Sequence, residues 1–206
     1  MNRPNQFDFE WITDWNEIYS ESFQQQWLSW HTAASEHHVF FHPALCLAWI
    51  DTYRPLRDIK PMFCIARKNN TLIFIPLVYW KKNWKNAFQR VIIPVGYSDF
   101  DYHDPIVNGG TDVDIETFFS ELVVQIKNNF SFDKILINGI RSQVNFDGWK
   151  QEADICPYCN LSAIENQEAF LKTLKTSLRG DLNRLMRRLT EHGHVDLYTY
   201  SVDTLD

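Results

Sequence analysis

Pro61-Met-Phe-Cys-Ile-Ala-Arg67-Lys68-Asn69-Asn70-Thr71-Leu-Ile-Phe-Ile-Pro76-Leu-Val-Tyr79 is the stretch on which the fold turns. Two apolar, β-branched and aromatic runs, residues 61–67 and 71–79, flank Lys68-Asn69-Asn70. Asparagine tolerates the left-handed backbone of a tight turn, so the pattern predicts a β-hairpin. Pro76 has no N–H to give a ladder, which would confine it to an edge or a bulge. Residues 90–95 (RVIIPV) read as a third strand and residues 134–140 (KILINGI) as a further buried one.

Helical signals surround these strands. Asp14-Trp-Asn-Glu17 has the form of a capping box, and Trp15, Ile18, Tyr19, Phe23, Trp27 and Trp30 then recur at three- and four-residue steps, one face of a single helix. Residues 43–54 open with proline in a first turn and stop before Pro55. Asp114 stands as N-cap to the clearest helix, residues 115–130, striped by Ile115, Phe118, Phe119, Leu122, Val123 and Ile126. A long basic amphipathic helix is expected from about Gln167 to His192, with Leu171, Leu174, Leu178, Leu182, Leu185 and Leu189 along one face. Gly193 would stop it and residues 195–200 would form a last strand. The fold class is therefore α+β, in α/β/α layers: a mixed sheet flanked by helices. A domain boundary would fall within residues 141–160.

Composition bounds the function. The 206 residues are 45% apolar and 22% charged, with no apolar run long enough to span a bilayer. The first residues, MNRPNQFDFEW, lack the basic start and apolar core of a secretory signal, so a cytoplasmic protein is expected. Four cysteines are too few for a disulfide scaffold. Twenty basic against 26 acidic side chains leave a net charge of −6, which argues against nucleic acid as the partner. The charge is uneven: residues 67–90 hold six bases and no acid, and residues 97–121 seven acids and no base. Such blocks are solvated faces or the walls of a polarised cleft.

Short motifs exclude more than they assign. Cys156-Pro157-Tyr158-Cys159 has the form of a glutaredoxin tetrapeptide. The 47 residues after it contain no proline, so the cis-proline loop of that scaffold is not encoded, and no catalytic disulfide is expected. His37, His38 and His42 have ligand-like spacing but no carboxylate or cysteine pattern beside them, and read as a surface cluster near a helix end. No Gly-x-Ser-x-Gly, P-loop or Gly-x-Gly-x-x-Gly is present. The eight tryptophans could line a carbohydrate platform, but several lie at helical or strand spacing and read as core.

Two segments carry a family resemblance. Cys156-Pro-Tyr-Cys-Asn-Leu161, then Phe170-Leu171, then Leu178-Arg-Gly-Asp-Leu-Asn-Arg-Leu-Met-Arg-Arg-Leu-Thr-Glu-His-Gly193, resemble the junction of CelD-type acetyltransferases, where "P-Y-x-x-L" leads into a helix of the form "L-R-x-x-L-x-R-x-x-R-R-L-x-x-x-G". Upstream, Phe40-Phe-His-Pro-Ala-Leu-Cys-Leu-Ala-Trp49 is similar to the family's early helix start. Ile75-Pro-Leu77 resembles its "l-P-L" strand, and Ser98-Asp-Phe-Asp-Tyr-His-Asp-Pro-Ile106 its "D-Y-x-d-p-l" loop. The likeness covers about residues 40–200.

That family belongs to the GNAT acyltransferases and, like the Fem peptidyltransferases, is built of two tandem GNAT-like halves. The resemblance implies that residues 1–160 form a first half, and that residues 161–206 are the opening helix and strand of a second, truncated one. It implies transfer of an acyl group from acetyl-CoA or another acyl-CoA to an amine or hydroxyl on a small-molecule or saccharide acceptor. Asp101, Tyr102, His103 and Asp104 would then bind the acceptor or move its proton at a cleft between the halves. Otherwise they form a turn capped by Asp and closed by Pro105.

GNAT enzymes hold the acyl-CoA pyrophosphate on a Gln/Arg-x-x-Gly-x-Gly/Ala loop at a helix N-terminus. None of the seven glycines here has Gln or Arg three positions before it. The nearest approach, Asn108-Gly109-Gly110, is followed by Asp112, Asp114 and Glu116, whose charge opposes a pyrophosphate. The acyl-CoA site is therefore expected in the second half. The alternative is a noncatalytic interaction module that lacks the cofactor site and forms homo-oligomers through its C-terminal leucine stripe.

Overall fold

The hairpin at the centre of the sequence is the centre of the sheet. In the computed structural model, which describes residues 7–36, 38–81, 88–109, 113–141, 162 and 164–196, strands β2 (Ile59–Lys68) and β3 (Thr71–Lys81) pair antiparallel from Ile59 opposite Trp80 to Lys68 opposite Thr71. Asn69 takes the left-handed turn position with φ 53°. Residues 61–66 and 73–78 are buried without alternation, so both faces of the hairpin are covered.

Outward from it, β1 (Asp8–Ile12) pairs antiparallel with β2, and β4 (Arg90–Pro94) and β5 (Ile106–Asn108) pair with the far edge of β3. The chain then crosses through α4 (Ile115–Asn129) and returns as β6 (Lys134–Ile135), parallel to β4 with Ile92 opposite Ile135. These six strands make one mixed sheet, and Ile73, Ile92 and Ile135 all lie in it.

Register divides the sheet into two faces. On one, Phe63 and Phe74 meet Phe23 and Trp27 of α2 (Glu21–Ala33), with α1 (Trp15–Ile18) before it and α3 (Pro43–Tyr53) after it. Trp27, fully buried, also donates its indole N–H to the Phe41 carbonyl at 3.0 Å. On the other face, Phe118 of α4 stacks on Phe9 at 6.2 Å, and Phe130 meets Trp11 at 4.9 Å. The α+β class and its layers follow: helices on both faces of a mixed sheet.

Several elements differ from the sequence reading. The helix expected to run through Trp30 is two, because Ser20 leaves helical geometry (ψ 140°) and caps a fresh start by accepting from the Phe23 N–H. Strand β3, which carries Pro76, is central rather than an edge. Pro76 offers its carbonyl to the Val95 N–H on the β4 side, so its nitrogen faces that side too, in the gap between the rungs to β5 and those to β4. The run 134–140 stays in the sheet for two residues only and then leaves to hold a loop. Strands β1 and β5 were not expected from the sequence.

The chain divides into two compact units, residues 1–150 and residues 151–206. In the second unit the expected single helix is two: α5 (Gln167–Thr173), capped by Asn166, and α6 (Thr176–Glu191). Leu174 and Lys175 between them are extended, with ψ near 148° and 143°. Cys156, Cys159 and residues 197–200 lie outside the described residues.

Candidate functional site

The loop between β4 and β5 is built by two glycines. Gly96 turns the chain at φ 83°, and its carbonyl accepts from the backbone of Asp99 and Phe100 at 2.7 and 2.8 Å. The Phe100 ring lies where a Cβ on Gly96 would stand, so only glycine closes this turn. Gly139, at φ 65°, accepts from the His103 N–H at 2.9 Å and leaves no space for a side chain against the Asp101 carbonyl.

This is where residues 138–141 go after β6. The Asn138 carbonyl meets His103 Nδ1 at 3.0 Å, and its amide donates to the Tyr97 carbonyl at 3.0 Å. Arg141 clasps Asp104 twice, from its backbone N–H at 2.9 Å and from Nε at 2.6 Å. The guanidinium also lies over the Tyr102 ring, 5.1 Å from its centroid. The Asp104 carboxylate beside it raises the Arg141 pKa still further. At this site Arg141 is a fixed, permanent cation.

From the other side, His38 Nε2 lies 3.2 Å from the Asp104 carbonyl, and its ring is 6.2 Å from that of Tyr102. Burial pushes the His38 pKa down, against the opposing pull of Asp104. His31, on the last turn of α2, reaches the His38 carbonyl through Nε2 at 3.0 Å, and its ring stands edge-on to His42 at 5.3 Å. His42 is the N-cap of α3, its Nδ1 accepting from the Ala44 N–H at 3.3 Å.

The four residues singled out from the sequence thus separate. Tyr102 and Asp104 come together, half-buried, with Arg141 and His38. His103 turns inward and is fully buried. Burial depresses its pKa as well. Asp101 is exposed. His38 and His42 are parts of this junction rather than a surface cluster, and His37 lies outside the described residues. Sequence reasoning missed Arg141, Asn138 and the role of His38. The only local signal was that Arg141 directly follows a run read as a strand.

Among the described residues no group of three or more His, Cys, Asp or Glu side chains could hold a metal ion. Cys46 and Cys64 are buried free thiols whose pKa burial pushes well up, so neither is a ready nucleophile. At the N-terminus of α4, Asp114 accepts from the Thr117 N–H at 2.9 Å and binds the Thr117 hydroxyl. That helix end already holds an internal carboxylate. No helix among the described residues is long and apolar enough to cross a membrane.

Compared with protein-family models, with curated proteins and with solved structures, the chain matches none.

Proposed function

We propose that this chain is the acceptor-side lobe of a GNAT-type acyltransferase of the CelD kind, moving an acyl group from acyl-CoA to an amine or hydroxyl of a small-molecule or saccharide acceptor. The observation that carries the reading is the cluster on the loop with the "D-Y-x-d-p-l" resemblance: Tyr102 under the Arg141 guanidinium, Asp104 clasped by it, and Asp101 exposed beside them. An aromatic face, a fixed cation and a carboxylate are what a hydroxylated or amino-bearing acceptor needs for stacking and hydrogen bonding. The acceptor's proton must leave as its nitrogen or oxygen attacks the thioester carbonyl, and the departing CoA thiolate must be protonated. Asp101 is the carboxylate this lobe offers for the first step.

The filled N-terminus of α4 supports placing the acyl-CoA site elsewhere. A pyrophosphate there would have to displace Asp114 and lie beside Glu116. In family terms that site belongs to a second lobe, in which α5 and α6 are the opening helices.

The test is binding by this chain and acyl transfer by a protein carrying both lobes. Amino sugars and simple glycosides should bind the 206-residue chain weakly, shifting the resonances of Tyr102 and Arg141. Arg141→Ala and Asp101→Asn should raise the acceptor KM in acyl transfer and leave the acyl-CoA KM unchanged. Micromolar binding of acetyl-CoA to the 206-residue chain would overturn the assignment of lobes.

A noncatalytic interaction module is the second reading. It is favoured by α6, where Leu178, Leu185, Met186 and Leu189 are each about half exposed, at 49%, 55%, 52% and 51%.

A further inference from the structure

The histidines at the junction of α2, α3 and the β4–β5 loop have a property that acyl transfer does not require. Three of their rings have no acceptor waiting for a second proton where they lie. His38 has Nε2 on the Asp104 carbonyl, an acceptor, so Nε2 carries the proton and Nδ1 is bare. That Nδ1 is buried and has no hydrogen-bond partner. His103 has Nδ1 on the Asn138 carbonyl, so Nδ1 carries the proton, and its bare Nε2 is likewise buried with no well-formed partner. His42 accepts from the Ala44 N–H through Nδ1, so a proton placed there would abolish the cap of α3.

The same rings join separate elements. His31 ties the end of α2 to the His38 carbonyl, and His38 ties that turn to Asp104. His103 ties the β4–β5 loop to the strap at residues 138 and 139. Charge on one ring falls on its neighbours: His31 opposes a proton on both His38 and His42, and His38 opposes one on His103. The other ionisable groups at the junction do not supply a compensating anion. The Asp104 carboxylate favours the protonated rings but is clasped by Arg141, whose charge opposes it at His38. Glu36 acts on Arg141. The Gly96 carbonyl favours a proton on His103 without reaching hydrogen-bonding geometry. Burial outweighs each of these.

We propose that His38, His42 and His103 form an acid-sensitive latch, which at neutral pH fastens residues 97–105 to the α2–α3 junction and to the strap at residues 138 and 139, and at weakly acidic pH releases them while the β2–β3 hairpin stays folded. The sign follows from linkage. A histidine held neutral in the closed loop gains a proton on opening once the pH is below its ordinary value, near 6.5. The closed form is therefore fully favoured above that value, and loses ground as pH falls from it toward the depressed values of the closed state. The inference stands apart from the acyl-transfer reading, since the loop opens or stays closed whether or not any acceptor binds.

Two measurements on the whole chain test it. The first is imidazole nitrogen NMR from pH 8 to 5. His38 and His42 should show a proton on Nε2 and His103 one on Nδ1, all three titrating below the ordinary histidine value and doing so together. The second is amide hydrogen exchange, corrected for intrinsic rate. Protection of residues 97–105 should fall at least about tenfold between pH 8 and pH 5, while residues 61–66 and 73–78 hold theirs. His38→Gln and His103→Asn each keep a donor near the place of the native one without a titrating ring, and the double variant should lose most of this acid response. Independent titration of His38 and His103 at ordinary values would overturn the latch, as would an unchanged acid response in the double variant. If the double variant does not fold, the wild-type NMR titration alone decides between the same two results.

Discussion

Helices α4 and α6 are nearly the same length, 15 and 16 residues, and both are amphipathic, yet they end in opposite conditions. In α4 the stripe Phe118, Phe119, Leu122 and Ile126 is buried, the N-terminus is capped by Asp114, and Lys127 stands in the last turn where the helix dipole favours it. In α6 no residue is buried and Lys175 at the N-cap makes no side-chain cap. The difference is not in the periodicity, which both sequences carry. It lies in what surrounds each helix: a sheet face with Phe7 and Phe9 for α4, and for α6 no covering surface among the described residues of the second unit. An amphipathic pattern therefore specifies a helix and a face, and only the partner decides whether that face stabilises the fold.

Truncating one side chain in each stripe should expose the contrast most sharply. Phe118→Ala deletes a fully buried side chain between Phe7, Phe9 and Phe119 and should cost about 3–5 kcal/mol in urea unfolding. Leu185→Ala, in a side chain already half exposed, should stay within about 0.5 kcal/mol. Similar losses at the two positions would mean that α6 is packed in solution as firmly as α4.

A second copy of the chain is one cover for the α6 stripe. Full burial of each leucine is worth about 1.5–3 kcal/mol, at least about tenfold in an association constant per residue. Self-association at micromolar concentration is expected in sedimentation, and Leu185→Glu with Leu189→Glu should return the chain to monomer without changing the unfolding midpoint of the sheet unit. A wild-type chain that stays monomeric at high concentration would leave the stripe to a partner of another kind.

The same contrast explains what could be read from residues alone. The β2–β3 hairpin was legible because its turn chemistry and its continuous apolar runs are local. The α4 helix was legible because Asp114 and the stripe lie within one window. Strand β1, Asp8-Phe-Glu-Trp-Ile12, alternates but carries two acids in five residues, and β5 is three residues long; both are strands because β2 and β3 hold them. Ser20 broke a periodic run that looked continuous, since its hydroxyl competes with the backbone for the next turn. The site was legible only as a loop. Its distinguishing contacts, His38 to Asp104, Arg141 to Asp104 and His103 to Asn138, join residues 66, 37 and 35 positions apart. No window of the sequence contains them.

Capping provides a smaller and more local test. Asp114→Ala should cost about 1 kcal/mol at neutral pH, read in the same unfolding experiment. Hydrogen bonds from the side chain and then the backbone of Thr117 hold the Asp114 pKa below its ordinary 3.8. The carboxylate's contribution is thus fully present above that value and disappears as pH falls through the lower, folded one. The gap between wild type and Asp114→Ala should accordingly close in strong acid. A gap independent of pH would show that the charge of Asp114 plays no part in the cap.

The smallest effect is expected at the start of α6, and its sign is what matters. Lys175 has the extended backbone of an N-cap, φ −54° and ψ 143°, but a side chain with no acceptor oxygen, so Lys175→Ser supplies the missing acceptor for the N–H of Ser177 or Leu178. If α5 and α6 are separate helices, the substitution should strengthen α6 by about 0.5–1 kcal/mol, seen as slower amide exchange over its first two turns in the whole chain. If residues 167–192 instead formed the single helix that the leucine spacing suggests, position 175 would lie in its interior. There serine is a poorer helix former than lysine by a few tenths of a kcal/mol, and exchange would quicken on both sides of it. Lys175→Ala separates the two cases from the other direction, since alanine does not cap but is the best residue for a helix interior. Slower exchange with serine and no gain with alanine would establish the break at Leu174 and Lys175; the reverse pattern would rejoin the two helices.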